Sequence, residues 1–198
     1  MTLKLFTFSL LTLTFAACSP YTNIPPENGD WASNNPNTSA VRSVSIAAVQ
    51  KSLEAEPING PYTIVLPERT EPATYALVAN ALGSDALIPT NVPVVELDEK
   101  GRPIKTDEEP SPVDSPISLG DFPEVEVRSI YIRGVDADVD IVRPSLSGRS
   151  LSTVDLVWEP GFGWSATDIR AWRVDPDALP KPGVPPAQRP LESQAATP

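Results

Sequence analysis

Three aspartates at alternate positions, Asp136, Asp138 and Asp140, have the spacing in this chain that most suggests chemistry. Carboxylates in this order supply the first ligands of a calcium-binding loop, which also needs glycine at its sixth position and glutamate at its twelfth. The chain has Ile141 and Ser147 at those two positions. Because alternate residues of a β-strand share one face, the pattern favours the solvated face of a strand. A calcium site is the weaker alternative.

Composition excludes most other side-chain chemistry. The 198 residues include no histidine, which removes Ser-His-Asp triads, imidazole bases and histidine-ligated metals. The single cysteine cannot form an internal disulfide, and no glycine-rich phosphate-binding motif occurs. We therefore predict a protein that is not an enzyme and holds no cofactor or metal. Hydrolysis by the three aspartates is the catalytic alternative, although their charges should repel one another unless Arg128, Arg133 or Arg143 lies beside them.

Aromatic side chains gather around the last predicted hairpin, at Trp158, Phe162, Trp164 and Trp172. Aromatic residues in such positions usually close a core or stack across strands. The functional alternative is a platform that binds a sugar or a peptide, because exposed aromatic patches mark recognition sites. Trp172 lies between Arg170 and Arg173, so a cation–π pair is also consistent with the sequence. The candidate binding surface comprises Trp158, Trp164, Trp172 and Arg170.

The first residues have the composition of an export signal. Lys4 precedes an eleven-residue apolar and hydroxyl stretch, Leu5–Phe15. A stretch of this length cannot span the ~30 Å hydrocarbon core of a bilayer as a helix, so it is typical of a signal peptide. We therefore assign residues 1–17 to a signal peptide.

The run Phe15-Ala16-Ala17-Cys18 resembles the lipobox of bacterial lipoproteins, with phenylalanine where leucine is usual. The resemblance implies cleavage between Ala17 and Cys18, attachment of diacylglycerol to the Cys18 thiol, and acylation, for example by palmitate, of the new amino terminus. Two or more lipid chains anchor a protein stably where one is marginal. An ordinary secretory signal with a chance cysteine is the alternative.

Charge and the residue after the cysteine bear on partners and location. The formal net charge of −11 would repel phosphate backbones, so nucleic acid is excluded as a partner. The lipobox resemblance implies a bacterial envelope protein that contacts a membrane through its lipid. Because Ser19, and not aspartate, follows the cysteine, the resemblance favours the outer membrane where the cell has two.

Periodicity predicts two helices before a sheet. Apolar residues in Thr38–Ala55 share one side, with Thr38 or Ser39 as the cap. A second helix should be capped by Thr70, with Glu71 and Pro72 in its first turn, and end at Gly83. Strand patterns occupy 61–66 and 92–97, the second restricted to a sheet edge by Pro93. The clearest alternation covers Glu124–Arg133, Ala137–Arg143, Leu151–Glu159 and Trp164–Val174.

These elements predict an α+β fold, with two helices on a mostly antiparallel sheet that ends in a β-meander. The predicted segments are a flexible tether with the lipidated cysteine at 18–37, one domain at 38–175 with a proline-rich acidic loop at 98–123, and a disordered proline-rich tail at 176–198. The preferred functional hypothesis is a non-enzymatic envelope lipoprotein that acts in binding, assembly or structure. The alternative is a small-ligand carrier, because the element pattern is similar to the cone-shaped domains of the nuclear transport factor 2 superfamily.

Overall fold

The structure, a computed structural model, describes residues 21–26, 32–104, 122–146 and 148–179. They form two helices packed on a mostly antiparallel seven-stranded sheet, which confirms the predicted α+β fold. The predicted signal peptide, Cys18, most of the loop predicted at 98–123 and most of the proline-rich tail lie outside the described residues.

Four long strands form the meander predicted from alternation. They are β4 (Glu124–Arg133), β5 (Asp136–Ser145), β6 (Gly148–Glu159) and β7 (Gly163–Trp172). Each is antiparallel to the next. The β6–β7 turn contains Gly161 and Gly163 with φ of 85° and 86°, a conformation that glycine adopts without steric cost. The last predicted hairpin, between Leu151–Glu159 and Trp164–Val174, is therefore confirmed.

Both helices begin and end close to the predicted positions. Helix α1 (Ser39–Ala55) is capped by Thr38, whose hydroxyl oxygen accepts from the Val41 N–H at 3.3 Å. Helix α2 (Pro72–Leu82) ends at Gly83, as predicted, but its N-cap is Glu71. The predicted cap at Thr70 is wrong because its hydroxyl donates to the Pro67 carbonyl at 2.6 Å. Among the described residues, neither helix combines the length and apolar composition that crossing a membrane requires.

Two short parallel strands extend the sheet beyond β4. The predicted strand at 61–66 is β2 (Tyr62–Val65), which pairs with β4 on one side and with β3 (Ala86–Leu87) on the other. Helix α2 provides the crossover between β2 and β3. The strand predicted at 92–97 is wrong, because that segment forms only an isolated bridge between Leu97 and Pro103. Pro93 has no N–H to donate to a strand ladder.

A further strand, β1 (Tyr21–Ile24), lies in the segment predicted as a flexible tether. It pairs antiparallel with β4, from Tyr21 opposite Arg133 to Ile24 opposite Ile130. Because β2 pairs only with the first residues of β4, the last part of that edge is left for β1. The side chain of Ile24 is buried in the core. The prediction that all of 18–37 is a flexible tether is therefore wrong for these residues.

The chain also stays folded slightly beyond the predicted end of the domain. A 3₁₀ turn, Pro176–Ala178, packs against β6, and Pro176 is buried. The Arg128 guanidinium donates to the Pro176 carbonyl at 2.7 Å, and Arg149 forms an ion pair with Asp177 at 2.7 Å. The disordered tail predicted from residue 176 is wrong for this first turn, because these contacts fix it to the sheet.

The core lies between the helices and one face of the sheet. Helix α1 contacts all four strands of the meander. Its buried residues Val44, Ala48 and Val49 belong to the same apolar cluster as Ile141 and Val154 of the sheet. Burial of one face follows from strand geometry, since only alternate residues can point toward the helices.

Arg143 is the charged exception among these inward-facing side chains. Its guanidinium is buried below the end of α1, where it donates to the carbonyls of Ser52 and Glu56 and forms a 3.3 Å ion pair with the Glu56 carboxylate. Burial lowers the pKa of Arg143, and the Glu56 charge opposes that effect. Cations at a helix C-terminus satisfy its free carbonyls and interact favourably with its dipole. Arg143 therefore fixes the end of α1 to β5.

We predict that Arg143→Ala lowers the free energy of unfolding by about 1–3 kcal/mol, because it removes the guanidinium donor of the Glu56 carbonyl and leaves the Ser52 carbonyl with only the Glu56 N–H. Glu56→Gln is the matched control, since the Glu56 side chain is 58% exposed, and should cost about 0–1 kcal/mol. Urea unfolding of the chain without its leader measures both values. Equal costs for the two variants would show that Arg143 does not hold the helix.

Candidate functional site

A bulge in β4 determines which of its side chains face away from the helices. Val127 lies opposite Ile141, and Ser129 lies opposite Asp140, so Arg128 is the extra residue of the bulge. The bulge shifts the alternation by one residue, which is the usual effect of such an insertion. Val127 consequently faces the core, and Ser129 faces the other side of the sheet together with Asp140.

A second bulge separates the aromatic residues of β7. Asp155 pairs with Asp168 and Leu156 with Ala166, so Thr167 is the extra residue. Trp164 and Trp172 are eight residues apart and would share a face in a regular strand. With Thr167 inserted, they lie on opposite faces, and Trp164 packs against the core.

The candidate binding surface predicted from Trp158, Trp164, Trp172 and Arg170 is therefore not one surface. Trp158 and Trp164 are direct cross-strand partners on the helix side of the sheet. Arg170 pairs with Thr153, and Trp172 pairs with Leu151, on the side that faces away from the helices. The prediction is wrong as a single patch because it could not include the Thr167 bulge.

The side of the sheet away from the helices is the strongest candidate site, and we call it the open face. It brings together two groups of residues that the sequence left apart, the three aspartates of β5 and the Arg170–Trp172 pair of β7. It also contains four residues that the sequence analysis missed, namely Ser129, Thr153, Asp155 and Asp168. The open face comprises Ser129, Asp136, Asp138, Asp140, Thr153, Asp155, Asp168, Arg170 and Trp172.

A chain of hydrogen bonds crosses all four strands of the open face. The Trp172 indole N–H donates to the Thr153 hydroxyl oxygen at 2.8 Å, and that hydroxyl donates to one Asp140 oxygen at 2.5 Å. The Ser129 hydroxyl donates to the other Asp140 oxygen at 2.6 Å. Because each carboxylate oxygen receives a charge-assisted bond, Asp140 holds the strands together and fixes the orientation of Trp172.

Asp138 and Asp155 lie opposite each other on β5 and β6. Burial raises the pKa of Asp138, and the charge of Asp155 and a hydrogen bond to it raise the pKa further. Arg170 and Arg133 act in the opposite direction. The Arg170 guanidinium is 2.8 Å from the Asp155 carboxylate, and this hydrogen bond raises the pKa of Arg170.

The arginines that the sequence offered as neighbours of the aspartates have different positions. Arg133 pairs with Asp136 across the β4–β5 turn, as expected. Arg128 contacts the 3₁₀ turn instead, and Arg143 faces the core because it lies an odd number of residues from Asp140. Arg170, which the sequence analysis placed with the aromatic residues, balances the acidic pair.

This arrangement gives no support to calcium binding. Alternate residues of a strand are about 7 Å apart, whereas calcium ligands must converge to within 2.3–2.6 Å of one ion. Within the described segments, no group of acidic, histidine or cysteine side chains is placed to hold a metal ion. Asp138 and Asp155 are close enough to share a proton. Their side chains lie on the open face, however, and line neither of the two surface grooves.

Two open grooves lie elsewhere on the described surface. One, of about 460 Å³, is formed by Trp158, Phe162 and Trp164 against the first half of α1. The other, of about 450 Å³, lies beside β3 and is lined mainly by apolar side chains, including Leu87 and Phe122. Neither is an enclosed cavity between helix and sheet of the kind that a cone-shaped carrier would use.

We predict that Asp138→Asn stabilises the fold at pH 7 by roughly 0.2–1 kcal/mol, the range for a solvent-screened pair. At low pH the carboxyl is protonated in both the folded and the unfolded chain. As pH rises through its raised folded pKa, the folded chain must ionise a carboxyl beside Asp155, and stability is lost. The increase in the free energy of unfolding caused by Asp138→Asn should therefore be largest at pH 7 and should decrease toward about pH 4.

Asp136→Asn is the matched control, because it removes one charge from the same strand at a position opposite Val157. Urea unfolding at several pH values measures both variants. A gain that does not change with pH, or that is equal at both positions, would contradict a specific interaction between Asp138 and Asp155.

Comparison with known proteins does not assign this chain to a family. The chain matches no protein-family model, no curated protein and no solved structure. The function must therefore be argued from its own residues.

Proposed function

We propose that this protein is a lipid-anchored lipoprotein of the bacterial envelope, and that it acts by binding a protein partner and not as an enzyme. The observation that carries the proposal is the position of its only cysteine, directly after the run Phe15-Ala16-Ala17. The absence of histidine supports a non-enzymatic role.

The short distance between the cysteine and the first strand agrees with this role. Cys18 is three residues from Tyr21, where β1 begins. Three residues reach at most about 10 Å. A lipid on Cys18 would therefore hold the folded body close to the bilayer, and not tens of ångströms away on a flexible tether.

The open face has the features of a protein-binding surface. Tryptophan and arginine are enriched at the centres of interfaces, and here Trp172 and Arg170 lie side by side on the edge strand β7. Their side chains are oriented before binding, Trp172 by Thr153 and Arg170 by Asp155. Such preorganisation lowers the entropy cost of association.

A small-ligand carrier is the second candidate, and the apolar groove beside β3 favours it. An apolar ligand bound there would contact Leu87, Ile88 and Phe122. Mass spectrometry of the protein purified from membranes under native conditions would reveal such a ligand.

We predict that the mature protein begins at Cys18 and carries diacylglycerol on that sulfur with an acyl chain on its amino group. Intact-mass measurement of the amino-terminal peptide checks this directly. Cys18→Ala should remain uncleaved and unmodified, whereas the control Ser19→Ala should be processed and should enter the detergent phase on phase separation. A mature protein that begins at another residue, or that carries a free thiol, would overturn the proposed anchor.

We also predict that Arg170→Glu reduces, by several-fold, the amount of a defined envelope protein that is crosslinked to the lipoprotein in intact cells. The reason is the loss of a cation held on the open face by Asp155. Arg173→Glu is the matched control, since it changes the charge equally just beyond the end of β7. Equal yields for the two variants would exclude the open face as the contact.

A further inference from the structure

One end of the sheet combines the start of β1 with two neighbouring turns, and we call it the anchor end. It consists of Tyr21, the β4–β5 turn at Gly134 and Val135, and the segment Trp158–Gly163. Exposed apolar side chains occur in each of these parts. They are Tyr21, Val135, Trp158 and Phe162, of which Phe162 is 86% exposed.

Strand pairing places these four residues in one row along the end of the sheet, with Tyr21 toward the open face and Trp158 toward the helices. Tyr21 lies beside Arg133, and the Trp158 N–H donates to the Val135 carbonyl at 2.7 Å. Phe162 follows in the next turn. From β1 to β7 the row crosses four strand spacings of about 4.8 Å each, or roughly 19 Å. Exposed apolar side chains therefore recur along the whole anchor end.

The covalent chain holds this end, and no other, close to Cys18. Tyr21 is three positions after Cys18, a reach of at most about 10 Å. Exposed apolar side chains also occur at the opposite end of the sheet, where Leu146 forms the β5–β6 turn. That turn is the length of β5 away, about 34 Å for ten residues. A lipid on Cys18 cannot bring Leu146 to the bilayer unless the sheet lies flat.

The charges of the open face oppose a flat orientation. Lying flat on the open face would press Asp138, Asp155 and Asp168 against headgroups, and surfaces with anionic lipids carry a negative potential. The anchor end has a smaller charge, with Arg133 opposite Asp136, and with Glu159 at the end of β6. An upright orientation therefore keeps most of the acidic side chains in water.

We propose that the anchor end rests on the lipid bilayer, with Tyr21, Val135, Trp158 and Phe162 in the headgroup region. The proposal rests on lipid attachment at Cys18. Tryptophan and tyrosine partition into the membrane–water interface because they combine an apolar ring with a polar group. Insertion is shallow, since Asp136 and Glu159 on the same edge must stay hydrated. The lipid thus attaches the domain, and the row of apolar side chains orients it.

A nitroxide label measures depth at chosen positions. The Cys18 sulfur is blocked by diacylglycerol, so a second cysteine reacts alone with the label. Phe162→Cys and Val135→Cys place it at the anchor end, and Leu146→Cys is the matched control at the opposite end. All three are exposed turn or turn-flanking positions where substitution leaves the core intact. The lipidated protein is reconstituted in vesicles of phosphatidylethanolamine and phosphatidylglycerol.

We expect the labels at 162 and 135 to be several-fold less accessible to a water-soluble nickel chelate, and more accessible to oxygen, than the label at 146. Equal accessibility at all three positions, with lipid on Cys18 confirmed by mass, would overturn the proposed orientation and leave the anchor standing. Protection at 162 in native membranes but not in vesicles would overturn it too, in favour of a protein contact. A Cys18 that reacts with the label would refute the anchor itself.

Discussion

Both helices cover the same face of the sheet, and this constraint determines the character of every strand. Side chains directed toward the helices must be apolar or paired, because unpaired polar groups in that space lose their water without compensation. Arg143 is paired through its two terminal nitrogens, which bind the carbonyls at the end of α1 and the Glu56 carboxylate. On the other face the same strands carry carboxylates, hydroxyls and a tryptophan. These polar groups pair with one another across the strands.

Much of the fold could be predicted because its long elements have clear periodicity. The alternation of apolar and polar residues in 124–172 correctly predicted four successive strands. The apolar stripe and the Thr38 cap predicted both ends of α1 to within about one residue. Short elements did not follow from the sequence. The strand β1 has four residues beside two prolines, and its stability comes from β4, which lies more than a hundred positions away in the chain. No local pattern carries that information.

The open face was predictable only in pieces. Strand alternation indicated that Asp136, Asp138 and Asp140 share a face, and composition singled out the tryptophans. Their grouping depended on two single-residue bulges, Arg128 and Thr167, each of which shifts the phase of its strand. A bulge has no reliable sequence signature when the extra residue is not glycine. Asp155 and Thr153 were missed for the related reason that strand register decides which side chains meet.

The pairing of β1 also has a mechanical consequence. Under the proposed anchoring, a force that pulls the domain away from the bilayer acts on the amino-terminal end of β1 and along its axis. Since β1 lies alongside the last residues of β4, such a force would load all of the ladder bonds between these strands together in shear. A strand attached at right angles to the load would instead open one bond after another. The same four residues that complete the edge of β4 are thus oriented to resist extraction of the domain from its lipid anchor.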